Sequence, residues 1–422
     1  MIKLVLLALL LLAVMPAAAQ DTVIISPALT EQMDTLEGYT IQLRGLDEQV
    51  DVIRDFPTRQ ELIEYLEDLY SRDLAAADLV KAELLYKGLG MLPLDTDLRE
   101  VYLTLLGSQV AGFYDTDTDI MNVIPTIGDT PGESLSLTEQ IIYVHEFTHA
   151  LQDQHFDLGR LQSDELAAAP DQSLAMLALV EGDATAVMNL YTQAITARNP
   201  FAAFGMLLEG VQAGNLFLPE GIPPALVREL AFPYEDGFNF VLKVYDAGGW
   251  EAINDAYSNL PTTTEQILHP EKYLAGEGAL EVTLGDRGYS SGPEWETVWD
   301  TTLGEFYLRE HLRAGLSRSQ AARAAAGWGG DHFKLHYQPE TGEIGWVMAI
   351  RWDTVEEARE FTRLYPDYAE KRIGSSARSV IGLDCWVNEA ESICWSPDED
   401  DAYTYLSYGS TQDIARALLA MG

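Results

Sequence analysis

The hydrophobic and polar positions of this 422-residue chain change period several times, and the changes mark its parts. From residue 20 to about Leu46 the pattern is weak. Thr58-Arg59-Gln60-Glu61 then reads as a capping box that opens a helix with Leu62, Tyr65, Leu66 and Leu69 on one face. Helical spacing continues through Leu74–Tyr86 and Asp97–Leu106. Gln109–Phe113 and Ile120–Ile124 alternate as short strands, joined by a turn that carries Asp115, Asp117 and Asp119. Those acids mimic the start of a calcium loop, but Ile120 stands where such a loop needs glycine. A polar hairpin is the expectation.

A second capping box, Ser136-Leu137-Thr138-Glu139, starts a helix that is apolar nearly all round, through Ile141, Ile142, Val144, Phe147, Ala150 and Leu151. Asp171 to about Thr196 is a longer helical pattern, with Glu181 in the middle of its apolar face. Phe232-Pro233-Tyr234 and Gly248-Gly249-Trp250 bracket a further helix over residues 236–245. Thr263 or Thr264 caps a short turn that Pro270 ends. Gly, Ser and Pro then accumulate between Asp286 and Glu296, as at a boundary.

Beyond it the pattern predicts a helix over Thr297–Leu312 and an Ala-rich one from Ser317 to Gly327. Strands follow over His332–Tyr337, Ile344–Trp352, Ser379–Val387 and Ala402–Tyr408, with helices over Val355–Leu364 and Gln412–Met421. The β-β-α-β-β-α order suggests an antiparallel sheet covered by helices. His332 and His336 lie about 13 Å apart along a strand, too far for one metal. Trp328, Trp346, Trp352 and Trp395 read as core or substrate-facing surface. The fold class expected is α+β. A mostly helical catalytic domain with a small mixed sheet spans 20–290, connecting helices span 291–327, and a small sheet domain spans 328–422.

Composition narrows the setting. Met1-Ile2-Lys3, the apolar run Leu4–Val14 and Ala17-Ala18-Ala19 read as a signal peptide over 1–19, so the protein is expected to be exported, extracellular or periplasmic. No later stretch reads as long and apolar enough to cross a membrane. A formal charge of -41 disfavours nucleic acid and anionic membranes as partners. The only two cysteines, Cys385 and Cys394, flank the turn Asn388–Glu391, and in an exported chain they predict a local disulfide.

The candidate chemistry lies in His145-Glu146-Phe147-Thr148-His149. Helical spacing puts His145 and His149 on one face, one turn apart, so two imidazoles can meet one Zn²⁺ while Glu146 stands beside its open position. Burying all three with no metal would be costly. Two residues compete as third ligand. His155 occupies the place of a third histidine in H-E-x-x-H-x-x-G-x-x-H enzymes, but the glycine that turns that chain is Gln152 here. In a continuing helix His155 lies about 9 Å beyond His149 and about 240° round the axis. That geometry favours Glu181, from a separate helix. Asp153 and Asp183 could orient the histidine N–H groups. His269, Tyr273 and Tyr234 are candidates for the donor that stabilises an oxyanion.

The run His145-Glu146-Phe147-Thr148-His149-Ala150-Leu151-Gln152-Asp153-Gln154-His155-Phe156, followed by Glu181-Gly182-Asp183-Ala184, resembles the gluzincin-type zinc metallopeptidases, and more closely a group of exported bacterial proteins of that kind. The similarity extends to Ala111–Asp115 and Thr263–Tyr273 and covers roughly residues 108–275. It implies one Zn²⁺ per chain on His145, His149 and Glu181, with Glu146 as general base and acid and a protein or peptide as substrate. The motif around Glu181 is shorter than in the thermolysin-like branch, so substrate type does not carry over. A zinc hydrolase of a non-peptide amide, or a non-catalytic envelope protein keeping the zinc helix, are the alternatives.

Overall fold

The computed structural model describes residues 25–420 apart from 59, 62, 63, 65–75, 110, 111, 117, 125–131, 163–165, 167, 199–220, 286–294, 381, 382 and 399–401. The expected signal peptide, most of the helix after Thr58, and Asp117 therefore lie outside the described residues. The architecture is α+β: among those residues twelve helices accompany a three-stranded mixed sheet and a seven-stranded antiparallel sheet.

The first helix, α1 (Pro27–Arg44), falls where the sequence pattern is weak. Ser26 caps it by accepting from the Leu29 N–H, and Gly45 closes it in the left-handed region at φ 72°. Its buried residues are Leu29, Met33, Leu36, Glu37, Thr40 and Arg44. They have helical spacing, but the last three are polar, which hides the stripe from a hydrophobicity pattern. Next come β1 (Ile53–Asp55), α2 (Ala76–Leu89), α3 (Leu98–Gln109), β2 (Gly112–Asp115) and β3 (Ile120–Val123). β1 runs parallel to β3 and β2 antiparallel to it, in the order β1-β3-β2, so β2 is at the edge of this sheet among the described residues. The β2–β3 connection is a hairpin, with the Thr118 N–H donating to Asp115.

Three long helices follow: α4 (Leu137–Phe156), α5 (Pro170–Arg198) and α6 (Pro224–Ser258). α5 corrects one expectation, since it is long and apolar enough to cross a membrane by length and composition. Its most apolar window is 83% buried inside the fold. α6 is longer than the bracketed segment: it runs through Pro233 and breaks only at Gly248-Gly249, where Gly249 takes φ 67°. Two short helices, α7 (Thr264–Leu268, capped by Thr263) and α8 (Pro270–Leu274), complete this half.

The C-terminal half is a sheet in the order β4-β5-β6-β10-β9-β8-β7. Its strands are β4 (Glu296–Thr301), β5 (Trp328–Gln338), β6 (Glu343–Trp352), β7 (Arg378–Val380), β8 (Leu383–Val387), β9 (Ser392–Asp398) and β10 (Tyr403–Gly409). The expected helix over 297–312 is half wrong: β4 pairs with β5, and α9 (Gly304–Arg313) starts only after it. A buried aspartate sets that start, because Asp331 accepts from the N–H groups of Leu303 and Gly304, each at 2.9 Å. α10 (Arg318–Ala325) has a Ser317/Gln320 capping box. α11 (Val355–Ile373) continues through Pro366, since Tyr365, Tyr368, Ala369 and Ile373 keep burying one face. Cys385 and Cys394 are directly opposed on β8 and β9 and form a disulfide beneath α12 (Gln412–Leu419). Such bonds persist in an oxidising environment.

Trp328, Trp346 and Trp352 are core residues, at most 1% exposed. One apolar core runs from α2 through α5 and α6 to the large sheet. Donors from the C-terminal half grip the end of α2: Trp346 Nε1 (2.9 Å) and Arg372 (3.0 Å) reach the Gly88 carbonyl, and His311 Nδ1 reaches that of Leu89 (2.9 Å). A cation there suits the negative end of the helix. Burial and the Arg372 charge push His311 down to about 3, so it packs as a neutral ring.

Candidate metal centre

The centre is built on α4. Both halves of the Ser136/Glu139 capping box are present, fixing the start of the helix eight residues before His145. His145 and His149 then project from one face with their Nε2 atoms 3.1 Å apart. Glu181 of α5 meets them, its Oε2 lying 3.1 Å from His145 Nε2 and 3.5 Å from His149 Nε2. A tetrahedral ion with bonds near 2.0–2.1 Å spaces its ligands about 3.3–3.4 Å apart. The three edges fit that spacing, and all three residues are buried. Glu181 Oε1 and His145 Nδ1 have no hydrogen-bond partner among the described residues. The group can hold a metal ion.

The electrostatics agree. Burial opposes charge on both His149 and Glu181, yet each compensates the other. His149 is raised to about 9, chiefly by Glu181, and Glu181 is lowered to about 2 by the two histidines. The carboxylate is thus held ionised in the interior, where it needs a cationic partner. Glu146 stands one residue on, raised by burial while His145 and His149 pull the other way.

α4 does not break at Gln152. It runs to Phe156 and closes at Asp157 in the left-handed region (φ 56°). His155 therefore points elsewhere, with Nε2 2.8 Å from the Asp47 carbonyl and Nδ1 3.3 Å from Gln49. The expected orienting roles of Asp153 and Asp183 need correction. Neither bonds a histidine. Asp153 accepts from the Tyr114 hydroxyl (3.1 Å) and the Leu158 N–H (2.7 Å). Gln152 is the residue on His149 Nδ1, at 2.8 Å. Asp183 stands behind it, accepting from Gln152 Nε2 (3.0 Å), Tyr257 (2.9 Å) and Arg44 Nε (3.0 Å). Arg44 is fully buried, lies over the Trp250 ring and donates to Asn254.

The edge strand β2 crosses this helix at Glu146. The Tyr114 N–H donates to Glu146 Oε2 (3.1 Å), while its hydroxyl holds Asp153 seven residues further along α4. Gly112 makes the approach possible: a Cβ there would meet the Asn122 carbonyl at 3.2 Å and Ile142 at 3.4 Å.

The third wall is α6. A Cβ on Gly182 would stand 2.3 Å from backbone atoms of Gly237, and one on Gly237 would stand 2.2 Å from the Ala178 carbonyl oxygen. α5 and α6 therefore touch backbone to backbone beside Glu181. Tyr234, three residues before Gly237, consequently sits over the centre, its ring 5.9 Å from that of His145. Burial and the charges of Glu181 and Glu146 raise its phenol well above the ordinary value. Of the three candidate oxyanion donors, only Tyr234 is brought to the triad. His269 is engaged by Glu305 (3.1 Å) and Arg309 (3.3 Å), and the Tyr273 hydroxyl donates to the Asn259 carbonyl (2.8 Å). The sequence could not rank the three, because the Gly182–Gly237 crossing that selects Tyr234 is a tertiary contact.

A family model described as a domain of unknown function (DUF8575) matches residues 287–417, the segment of the seven-stranded sheet. It stops short of the metal centre, which lies wholly upstream. No curated protein and no solved structure matches the chain.

Proposed function

We propose that the protein is an exported zinc-dependent peptidase. The observation that carries the reading is the meeting of His145, His149 and Glu181 in a triangle of metal-ligand size, with Glu146 beside it, held by the Tyr114 N–H of β2. A Zn²⁺ held there would acidify a water and polarise a scissile carbonyl. Glu146 would serve as general base and acid, taking a proton from the attacking water and returning it to the leaving nitrogen, a task suited to a carboxyl raised by burial. The Tyr114 N–H keeps the Glu146 carboxylate aimed while it does so. Tyr234 donates its hydroxyl proton toward the oxyanion, replacing His269 and Tyr273 in that role. The disulfide suits the oxidising compartment that an exported enzyme meets.

Glu146→Gln tests this. The variant should keep zinc near one per chain by elemental mass spectrometry and lose cleavage of an unstructured protein substrate by at least a hundredfold. Equal turnover in wild type and variant would sink the mechanism.

A further inference from the structure

We infer that Gln152 is a positioning residue for the metal centre, fixing His149 in the tautomer that offers its Nε2 lone pair to the ion. The inference rests on the metal reading of the triad but not on peptidase chemistry.

The argument is one of donors and acceptors. Gln152 Nε2 lies 3.0 Å from the Val180 carbonyl oxygen and 3.0 Å from Asp183 Oδ2. Both neighbours only accept, so the amide nitrogen must face them, and the choice between the two amide orientations is made. Gln152 Oε1 is then the atom 2.8 Å from His149 Nδ1. A carbonyl oxygen cannot donate, so Nδ1 keeps its hydrogen, and Nε2, facing Glu181 and His145, is the nitrogen whose lone pair goes to a metal. Gln152 is fully buried, so no water competes for this bond.

The anchor behind it is equally fixed. Asp183 is 0% exposed and is pinned by Arg44 Nε and the Tyr257 hydroxyl. Arg44 belongs to α1, Gln152 and His149 to α4, and Asp183 and Glu181 to α5. The relay therefore ties three helices together behind one ligand. His145 has no such support: its Nδ1 is without a partner among the described residues. The two histidines are thus held unequally, His149 through the relay and His145 by packing.

The test measures metal affinity directly, by competition of Zn²⁺ and Co²⁺ with a chromophoric chelator. Gln152→Leu should weaken binding by about 10–100-fold, the usual cost of losing a bond behind a ligand. Gln152→Glu keeps the size and the oxygen on His149 but turns an acceptor toward Asp183, and it should also weaken binding. Adding Asp183→Asn gives that acceptor a donor again. The double variant should lose less affinity than the product of the two single losses. In the Zn²⁺-loaded wild type, long-range ¹H–¹⁵N correlation should show His149 protonated at Nδ1. Affinity within twofold of wild type in both Gln152 variants, or a His149 protonated at Nε2, would overturn the inference and leave the peptidase reading intact. Normal metal behaviour without any peptide cleavage would sink only the peptidase. A wild type that binds neither metal would sink both.

Discussion

Arg44→Met is the perturbation that probes the frame of the centre without touching a ligand. Methionine keeps the aliphatic stem and removes the guanidinium, leaving Asp183 with the Gln152 amide and the Tyr257 hydroxyl but no cation. Both members of the Arg44–Asp183 pair are 0% exposed, so the stranded carboxylate has no water to turn to. Removing one partner of a buried pair typically costs about 3–5 kcal/mol. With an unfolding entropy of about 2.1 cal/mol/K per residue, a chain of this length loses about 3–6 °C in Tm. The surface pair Arg323–Glu360, with side chains 63% and 41% exposed, is the control, because exposed pairs contribute about 0–1 kcal/mol. Melts by calorimetry on chelator-treated protein separate this term from stabilisation by bound metal. Arg44→Met should fall well below Arg323→Met, and adding Asp183→Asn should recover part of the loss. Equal shifts for the two single variants would refute the reasoning.

Two further outcomes follow from buried contacts. Glu229 accepts from the Tyr86 and Tyr307 hydroxyls in the core, and burial raises it to about 7. Because the folded pKa lies above the unfolded value of about 4.3, the group favours folding in acid and loses that contribution as pH rises through about 4–7, a change of about 3–4 kcal/mol. Urea unfolding of Glu229→Gln at pH 4 and pH 8 should therefore show the variant gaining on wild type at the higher pH, and parallel profiles would refute the assignment. Gly182→Ala should destabilise by about 1–3 kcal/mol through the backbone overlap with Gly237, exceeding the about 1 kcal/mol gained in helix propensity. Its metal affinity should fall as well, and a stabilised variant with unchanged affinity would mean the helices part freely.

Much of the site was legible because helix geometry is rigid. The 136–139 capping box and the i, i+4 histidines fix α4, and a carboxylate on a buried stripe at Glu181 needs a partner there. The absence of glycine at 152 separated Glu181 from His155 by the same geometry. What stayed hidden is tertiary. α1 escaped notice because Thr40 and Arg44 occupy its buried stripe, and Arg44 makes sense only beside Asp183. β1 is three residues long and exists through its pairing with β3. β4 read as helix because its sequence adjoins α9, and the Asp331 contact that separates the two comes from β5. Gln152 looked like a mere departure from a glycine motif, while its neighbours make it part of the centre.

The four residues Glu181-Gly182-Asp183-Ala184 show why the middle of α5 is buried on every side. Successive residues turn about 100° round a helix. Glu181 faces the histidines of α4, Gly182 meets Gly237 of α6, and Asp183 reaches Arg44 of α1. With partners in three directions no polar face is left there, so the helix has the length and apolarity of a membrane span yet is largely buried in the fold. Two carboxylates within one turn, both 0% exposed, would be ruinous in a helix whose only task was packing. Arg44 neutralises one of them. Glu181 is offset by a protonated His149, and a metal that takes the His149 Nε2 lone pair displaces that proton, leaving Glu181 and the neighbouring Glu146 to be balanced. A divalent cation at the triad closes that balance, and it does so at the point where three ligand atoms converge.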